Sequence, residues 1–553
     1  MYILGITHPI SLNSAACLLR NDQLLAFVEE ERFTRSKHAP YQPPCRAIEY
    51  CLKSSNVKLK NVDVIAIGYD SFFRVVSSHP LEHFRQLAFW QQVESDSKAT
   101  FCSRGLNLFL NYFQGFSQLP FPITDKRINF VRHHLAHAAS AYFVTDYPEA
   151  NILSLDAGGG QESGILAEAR GKQIKIVHSF SHRNSWGYLY AVLTEFLGFQ
   201  HFDGEGKVMG LAAYGKPDSA GLPFVDLEKP LPTIDASGLL NFLRSQKRRQ
   251  PETKLTQKHK NIAATLQFTL EEAAVKMAKY LYEKNGIGNF CVAGGVGLNC
   301  LMNKKLLDLP FVKNLFIQPA AYDAGTALGA ALWVYAQKKK RPKTTFNHAY
   351  WGPEFTNEQI KKVLEQMQIR NYRKLKNTSV VVAKLLAQDK IIGWFQGRME
   401  IGARALGNRS ILANPKNPKM KDLVNGMVKF RESWRPFAPS ILEERAPEYL
   451  ASVINSPFMI LSDDTTPKRK EIVSAIHVDG TCRPQTVSQK TNPCFWQLIN
   501  EFGKLTGTPV LLNTSFNLRG EPIVCTPSEA LSTFYRSGLD YLVLGDYLVS
   551  KKS

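Results

Sequence analysis

Cysteine and long apolar runs are both scarce in this sequence of 553 residues. The nine cysteines include no C-x-x-C pair, which excludes a zinc ribbon and disfavours a disulfide-stapled fold. The longest weakly polar run, 324–336, is too short to cross a bilayer, and the N-terminus lacks the cationic segment of an export signal. We therefore expect a cytoplasmic protein without a membrane partner.

Acidic residues are also in short supply, with 48 against 68 lysines and arginines, which gives a formal net charge of +20. This excess predicts an attraction to phosphate-bearing or otherwise anionic partners. The densest basic stretches, 246–260 and 338–343, lack the interleaved aromatic residues of a surface that stacks nucleic-acid bases. We interpret them as solvated loops and do not expect nucleic acid as a partner, while the oligomeric state stays open.

The chain has the length and composition of a folded protein with about two to four domains. A three-strand pattern occurs at 2–6, 14–19 and 24–29, and a similar one at 151–156, 163–167 and 174–180. Two such units predict an α/β domain that is internally duplicated. A charged, proline-containing stretch at 337–347 then breaks the hydrophobic periodicity, and we place the linker to a second domain there.

Two glycine-rich turns follow apolar strands in the first domain. The turn at 157–160 comes directly after Asp156, and a second strand runs into Gly294 and Gly295 before a helix that begins near Leu298. Such turns leave backbone N–H groups free to bind phosphate oxygens. Tight turns chosen for packing remain an alternative at both places.

Two histidines four residues apart indicate a metal site. His133 and His137 share one face of a helix at this spacing. Asp156 and Asp323, each at the mouth of a glycine turn, would complete a mixed nitrogen and oxygen shell suited to iron, manganese or zinc. A purely structural histidine pair is the alternative.

Cations are unusually dense in the second half of the chain. Rigid guanidinium groups match phosphate bidentately and lysine adds a mobile point charge, so a binding site for a phosphorylated substrate or a triphosphate is expected, with a basic surface as the alternative. Asn513, Thr514 and Ser515 follow an apolar strand and offer further donors, whereas no G-x-S-x-G elbow marks Ser515 as a hydrolase nucleophile. The cations are Arg398, Arg404, Arg409, Lys429, Arg431, Arg435 and Arg483.

The chain resembles the O-carbamoyltransferases of the nodulation, cephamycin and tobramycin type over nearly its whole length. The matching strings, in family order, are EEERFTRSKHA, HHLAHAASAY, LSLDAGGG, GEGKVMGLAAYG, AGGVGLN, YDAGTALGAAL, GWFQGRMEIGARALGNRSI, RPFAPSIL, HVDGTCRPQTV and LLNTSFNLRGEPIV. The resemblance implies an actin-like (ASKHA) domain over 1–343, similar to the universal tRNA-threonylcarbamoyl transferase. It also implies a YrdC-like α/β domain over 344–553.

The resemblance implies a reaction in two steps. Carbamoyl phosphate and ATP, with Mg²⁺, form a carbamoyl-adenylate in the YrdC-like domain, and the actin-like domain passes the carbamoyl group to a hydroxyl of an acceptor such as an antibiotic or a sugar. The acceptor itself is not implied, because Asn13 stands where the family often has an acidic residue or a histidine. We expect the variable loops 72–119 and 218–260 to line the acceptor site.

The resemblance also implies the site residues. His133, His137, Asp156 and Asp323 would hold a divalent metal, expected to be Fe²⁺ with Mn²⁺ or Zn²⁺ as alternatives. The nucleotide would contact Lys37, Gly158, Gly159, Lys207, Gly294, Gly295 and Asn299. Carbamoyl phosphate would contact Arg404, Lys429, Arg431, Arg435, Arg483, Asn513 and Ser515, with Lys429 and Arg483 essential for activation.

A base is needed to remove the proton of the acceptor hydroxyl, and His8 and Glu205 are the candidates. Two other functions stay open at this point. One is a tRNA-modifying fusion of the same two domain types, and the other is a non-catalytic, nucleotide-regulated binding protein on the actin-like fold.

Overall fold

The computed structural model describes residues 1–70, 114–432, 434–452 and 455–551. The chain forms two compact units. The first unit consists of Met1–Glu30 and His38–Phe346, and the second of Glu31–Lys37 and Asn347–Ser553. The second unit therefore includes a seven-residue segment from the N-terminal region, which we call the strap.

The strands of the first unit are β1 (Tyr2–Ile6), β2 (Ala15–Arg20), β3 (Gln23–Glu29), β4 (Val64–Ile67), β5 (Ile128–Phe130), β6 (Glu149–Gly159), β7 (Glu162–Arg170), β8 (Gln173–Phe180), β9 (Val225–Asp226), β10 (Thr233–Ile234), β11 (Asn289–Ala293) and β12 (Asn314–Ile317). Those of the second unit are β13 (Tyr372–Lys374), β14 (Ile392–Phe395), β15 (Arg409–Ala413), β16 (Ala438–Leu442), β17 (Asp463–Asp464), β18 (Thr481–Cys482), β19 (Gln485–Val487), β20 (Val510–Ser515), β21 (Tyr541–Leu544) and β22 (Tyr547–Ser550).

The helices, in chain order, are α1 (Glu31–Thr34), α2 (Cys45–Ser54), α3 (His133–Tyr142), α4 (Trp186–Phe196), α5 (Glu205–Ala212), α6 (Ala236–Ser245), α7 (Gln257–Asn285), α8 (Cys300–Leu307), α9 (Ala324–Lys338), α10 (Asn357–Gln366), α11 (Thr378–Ala387), α12 (Met420–Val424), α13 (Pro493–Thr506) and α14 (Pro527–Tyr535). Short 3₁₀ turns lie at Leu59–Asn61, His182–Asn184, Gly295–Leu298, Glu443–Glu448, Pro467–Glu471 and Val473–Ala475, and a π-helical turn at Asn425–Lys429.

Two five-stranded sheets of the first unit have the same topology. Their strand orders are β3-β2-β1-β4-β5 and β8-β7-β6-β11-β12. In each sheet an antiparallel meander of three strands is extended by two parallel strands, so that Leu153 on β6 lies opposite Leu166 on β7 and Val292 on β11. This repetition confirms the expected α/β class and the internal duplication of the first domain.

A close contact between helices α3 and α9 holds their N-terminal ends near each other. A β-carbon at Gly329 on α9 would overlap the carbonyl oxygen of Ala136 on α3, so only glycine permits this approach. The packing holds Asp323, which precedes α9, beside the first turns of α3. Glycine at position 329 thus allows the packing that brings the Asp323 carboxylate to His133 and His137.

The second unit is built on an eight-stranded mixed sheet with the order β13-β22-β21-β14-β15-β20-β16-β19. Adjacent residues on its central strands enter two different hydrophobic clusters, as the two-residue period of a strand requires. Trp394 and Leu511 belong to one cluster and their neighbours Phe395 and Leu512 to the other. Helices cover both faces, because residues of α11 and α13 join the first cluster and residues of α10, α12 and α14 the second.

Three local features differ from the sequence-based expectation. Strand β6 continues through the predicted glycine turn to Gly159, with irregular pairing between Leu155 and Gly159. The predicted helix near Leu298 begins only at Cys300, after a 3₁₀ turn. The strap groups with the second unit, although a division by sequence order would place it in the first.

Candidate functional site

Two imidazoles and two carboxylates converge in the first unit. His133 and His137 lie one turn apart on α3, with their Nε2 atoms 3.1 Å apart. His137 Nε2 is 3.4 Å from Oδ2 of Asp156 on β6, and His133 Nε2 is 3.6 Å from Oδ1 of Asp323. One donor atom from each of the four residues lies within 4.8 Å of the others. The structure therefore brings together the four predicted metal ligands, which we call the His/Asp cluster.

Charge and burial in the His/Asp cluster suit a cation. Burial lowers the pKa of His133, and the charge of Asp323 opposes this shift. Burial also acts to lower the pKa of His137, but hydrogen bonds and charge from Asp156 and Asp323 raise it to about 9. The pKa of Asp156 is lowered by its hydrogen bond to His137, against the effect of burial. Two imidazole nitrogens with two carboxylate oxygens form a donor set that fits a divalent transition metal.

The predicted nucleotide-binding glycines pack directly against the His/Asp cluster. A β-carbon at Gly159 would overlap the His133 ring, and the Gly295 N–H donates to Asp156 Oδ2 at 2.7 Å. Gly294 has φ +82°, and a β-carbon there would overlap the backbone of Leu155. These glycines are thus required by the geometry of the metal-binding candidates, whatever they bind in addition.

His182 lies against the other side of this glycine segment. A β-carbon at Gly158 would be 2.7 Å from His182 Nδ1, and His182 Nε2 lies 3.2 Å from the carbonyl oxygen of Gly160. The imidazole is buried, with 2% of the residue exposed. It is a polar group beside the predicted phosphate turn that the sequence did not reveal, because it comes from beyond β8.

Two other predicted nucleotide-binding residues lie at the start of a helix or within one in the first unit. Asn299 caps α8 by accepting the Met302 N–H at 3.0 Å, and its amide pairs reciprocally with that of Gln267 at 2.8 and 2.9 Å. Lys207 on α5 lies with its Nζ 5.6 Å from the ring centre of Phe199. Asn299 therefore has a structural role here, and nucleotide binding by either residue stays a prediction.

The two candidate bases differ in their environments. His8 is buried with its ring 4.5 Å from that of Tyr69, and burial followed by the charge of His133 lowers its pKa to about 3. A histidine with this pKa is neutral and weakly basic at neutral pH, and a role of His8 as the base stays a prediction. Glu205 starts α5 and accepts the Phe202 N–H at 2.7 Å, and burial raises its pKa.

Lys429 is the centre of the second candidate site. It ends the π-helical turn and is 5% exposed. Its ammonium group donates to Oγ of Ser515 at 3.1 Å and to Oδ1 of Asn517 at 2.7 Å, as well as to both backbone carbonyls of these residues. Phe430 follows with φ 47°, a strained value of the kind found at functional sites.

Several cations of the second unit lie close enough to affect one another's charge. Burial lowers the pKa of Lys429 well below its usual value, and the charges of Arg431, Arg435 and Lys37 lower it further. Burial also lowers the pKa of Arg431, to which Arg435 and Arg483 add. We call these five residues the cation cluster. Glu521 opposes the shift of Lys429, and Glu432 opposes that of Arg431.

Three other predicted anion-binding residues, Arg409, Asn513 and Arg404, have different environments. The Arg409 guanidinium is buried and donates to the carbonyls of Pro353, Gln396, Gly397 and Asn408, which identifies it as a structural residue. Asn513 is also buried and donates to Ser440 Oγ at 3.0 Å and Gln485 Oε1 at 3.1 Å. The loop that carries Arg404 is organised by Glu400, whose Oε1 accepts the N–H groups of Leu406, Asn408 and Arg409.

The sequence predicts that Lys37 binds the nucleotide, and this role stays a prediction. Lys37 ends the strap and therefore belongs to the second unit, and its charge acts on Lys429. Sequence reasoning also missed Asn425, whose Oδ1 accepts Arg431 Nε at 2.7 Å, and Asn517. Their proximity in sequence to Lys429 and Ser515 is the signal that points to them. The predicted acceptor loop 72–119 lies outside the described residues over 72–113.

No helix within residues 1–70, 114–432, 434–452 and 455–551 combines the length and the apolar character needed to cross a bilayer.

Family comparisons cover both units. The family described as "Carbamoyltransferase N-terminus" matches residues 2–332, and the one described as "Carbamoyltransferase C-terminus" matches residues 383–551. These two matches confirm the resemblance found in the sequence.

Individual relatives match over most of their own length. The nodulation protein NolNO of Sinorhizobium fredii is 38% identical over 569 residues, covering 100% of this chain and 80% of the relative. NolO of Bradyrhizobium diazoefficiens is 40% identical over 438 residues, covering 76% and 79%. An uncharacterised protein of Synechocystis sp. is 36% identical, covering 100% and 97%. Among solved structures, full-length HypF in a phosphate- and nucleotide-bound form matches with a TM-score of 0.37 at 12% identity, covering 62% of this chain and 56% of HypF.

Proposed function

The chain belongs to the carbamoyltransferase family and is a carbamoyltransferase, and on this premise we propose that it uses ATP to activate carbamoyl phosphate and carbamoylates a hydroxyl group. The acceptor in this proposal is a small molecule, either a natural product or a sugar. The observation that carries the proposal is the environment of Lys429 in the cation cluster. Its ammonium group is 5% exposed and donates to Ser515 and Asn517, while burial and neighbouring cations disfavour its charge, so a bound anion would stabilise it.

We assign activation to the second unit. Carbamoyl phosphate would bind to the cation cluster with Ser515, and its hydrolysis would give carbamate and phosphate. Attack of carbamate on the α-phosphate of ATP, present as its Mg²⁺ complex, would then give carbamoyl-adenylate and pyrophosphate. Guanidinium groups such as that of Arg431 suit the phosphate by bidentate donation, whereas Lys429 offers a single buried charge.

We assign transfer to the first unit. The acceptor oxygen would attack the carbamoyl carbon and AMP would leave. A divalent metal, Fe²⁺ with Mn²⁺ or Zn²⁺ as alternatives, would be held by His133, His137, Asp156 and Asp323 and would supply positive charge to polarise the adenylate. The N–H of Gly295 holds Asp156 in place, and Glu205 and His8 are the candidates for accepting the hydroxyl proton.

Release of pyrophosphate tests this function. The purified protein should release pyrophosphate when given ATP and carbamoyl phosphate together, and not when given either alone. A nucleotide-regulated binding protein would release none under any of these conditions, which would contradict the proposal. Mass spectrometry of small-molecule acceptors should then show a gain of one carbamoyl group, and modification of tRNA instead would identify the alternative fusion enzyme.

A further inference from the structure

A buried glutamine, Gln267 on α7, joins side chains from three helices of the first unit. The residue is 4% exposed. Its Nε2 donates to Asn299 Oδ1 at 2.9 Å and to Glu271 Oε1 at 2.8 Å. Its Oε1 accepts from Asn299 Nδ2 at 2.8 Å and from the Tyr190 hydroxyl on α4 at 2.9 Å. Both N–H groups and both acceptor positions of this amide are therefore used.

The orientation of the two paired amides is fixed by a group that can only donate. The backbone N–H of Met302 donates to Asn299 Oδ1 at 3.0 Å, so the oxygen of this amide must face the first turn of α8. Burial raises the pKa of Tyr190 well above its usual value, so its hydroxyl keeps its proton and donates to the Gln267 oxygen. Reversing either amide would bring donor against donor, which costs the free energy of buried, unmade hydrogen bonds.

This arrangement leaves Asn299 with one N–H to offer. Its Oδ1 accepts two hydrogen bonds and one of its N–H groups donates to Gln267, whereas the other N–H bonds to no described residue. Asn299 is 8% exposed, and polar groups at such positions normally have a partner. It also ends the turn that begins at Gly295, whose N–H donates to Asp156 of the His/Asp cluster.

We propose that Gln267 is a positioning residue for nucleotide binding, which holds the Asn299 amide so that its remaining N–H donates to an acceptor atom of the adenylate. The inference rests on the proposed function, because it assumes that the adenylate binds to the first unit at Asn299. It also explains an amide at this place in α7, where Leu266 and Leu270 are buried and apolar. A polar side chain among them is costly unless its hydrogen bonds are made, and here they determine what Asn299 presents.

Calorimetric titration of the full-length protein with AMP, which the proposed transfer step releases, tests this inference. Gln267→Met keeps the length of the side chain and removes its four hydrogen bonds. Asn299→Ser retains a capping oxygen for α8 and lacks the amide N–H. Tyr190→Phe removes one hydrogen bond from Gln267 and leaves both of those between Gln267 and Asn299. The control is Gln173→Met, because Gln173 is exposed at the start of β8.

Asn299→Ser and Gln267→Met should each bind AMP about 3- to 10-fold more weakly than wild type, as expected for the loss of one neutral hydrogen bond to the ligand. Tyr190→Phe should lose about two- to threefold, and Gln173→Met should match wild type. The double variant Gln267→Met/Asn299→Ser should bind no more weakly than Asn299→Ser, because Gln267 acts through Asn299. A purely structural role of Gln267 would not produce this lack of additivity.

Wild-type AMP affinity in Gln267→Met, or additive losses in the double variant, would overturn the inference alone. Wild-type affinity in Asn299→Ser would overturn it as well and would remove Asn299 from the nucleotide site. If Gln267→Met does not fold, Tyr190→Phe decides the matter, and its loss of affinity should vanish when Asn299→Ser is already present. If wild type itself bound no AMP, the proposed transfer function of the first unit would fail together with the inference.

Discussion

The two units concentrate buried charge in opposite ways. In the first unit, His137 faces Asp156 and Asp323, and hydrogen bonds and charge from these carboxylates raise its pKa, so groups of opposite charge stabilise one another. In the second unit, Lys429 lies among like charges and its pKa is lowered by burial and by the neighbouring cations. The charges in the first unit nearly cancel without a ligand, whereas the cation cluster of the second unit keeps like charges close together.

The difference indicates what each site binds. A balanced set of nitrogen and oxygen donors provides ligands for a metal cation without a large cost when the cation is absent. A cluster of cations destabilises the protein until an anion arrives, so the energy of binding is largely electrostatic. Changes at the two sites should therefore have separable effects, and the predictions below test that separation.

The largest effect is expected from His137→Ala. Loss of one of four ligands should lower metal affinity by at least about 100-fold, and carbamoyl transfer should fall with it. Elemental analysis and product formation measure the two quantities. The control His201→Gln changes a half-exposed histidine paired with Glu195 and should keep its metal. Normal metal content and transfer in His137→Ala would refute the metal assignment.

A smaller loss is expected from Gly159→Ala. Its β-carbon would overlap the His133 ring and displace it from the His/Asp cluster, so metal affinity should fall by about 10- to 100-fold. Binding of phosphate to the second unit should stay at the wild-type level. Gly206→Ala, where a β-carbon meets no atom within 4 Å, is the matched control. Equal metal affinity in both variants would show that the close approach has no functional role.

The smallest effect is a pH dependence of anion binding in the second unit. The pKa of Lys429 is lowered well below its usual value by burial and by neighbouring cations, and a bound anion favours the protonated amine. Affinity for carbamoyl phosphate should therefore fall as pH rises through a range below the pH of about 10.4 at which an ordinary lysine titrates, by at most about tenfold per pH unit. Lys429→Met should bind weakly with a flatter profile, and an equally flat profile in wild type would contradict this account.

The His/Asp cluster could be predicted from sequence because its signals are local. His133 and His137 share a helix face at a spacing of four, and Asp156 follows the mostly apolar run 152–155 of β6. The repeated three-strand pattern likewise indicated the duplicated domain. Once the fold class is known, the position of a residue on a helix face or along a strand predicts which other residues it lies near.

The roles of other residues depend on contacts that are distant in sequence. Arg404 and Arg409 occur in one basic stretch, yet four backbone carbonyls hold Arg409 in a structural role. Asn299 pairs with Gln267, which lies 32 residues away. The grouping of Lys37 with the second unit depends on contacts up to 488 residues apart, such as that of Arg35 with Ile523. Single-sequence patterns do not contain this information.

The most direct test of the central claim is a comparison of pyrophosphate release and carbamoyl transfer in two variants. His137→Ala should release pyrophosphate from ATP and carbamoyl phosphate but form no carbamoylated product. Lys429→Ala should release none, yet should transfer the carbamoyl group when carbamoyl-adenylate is supplied. The result that contradicts the account is a parallel loss of both activities in both properly folded variants, because activation and transfer would then not be divided between the two units.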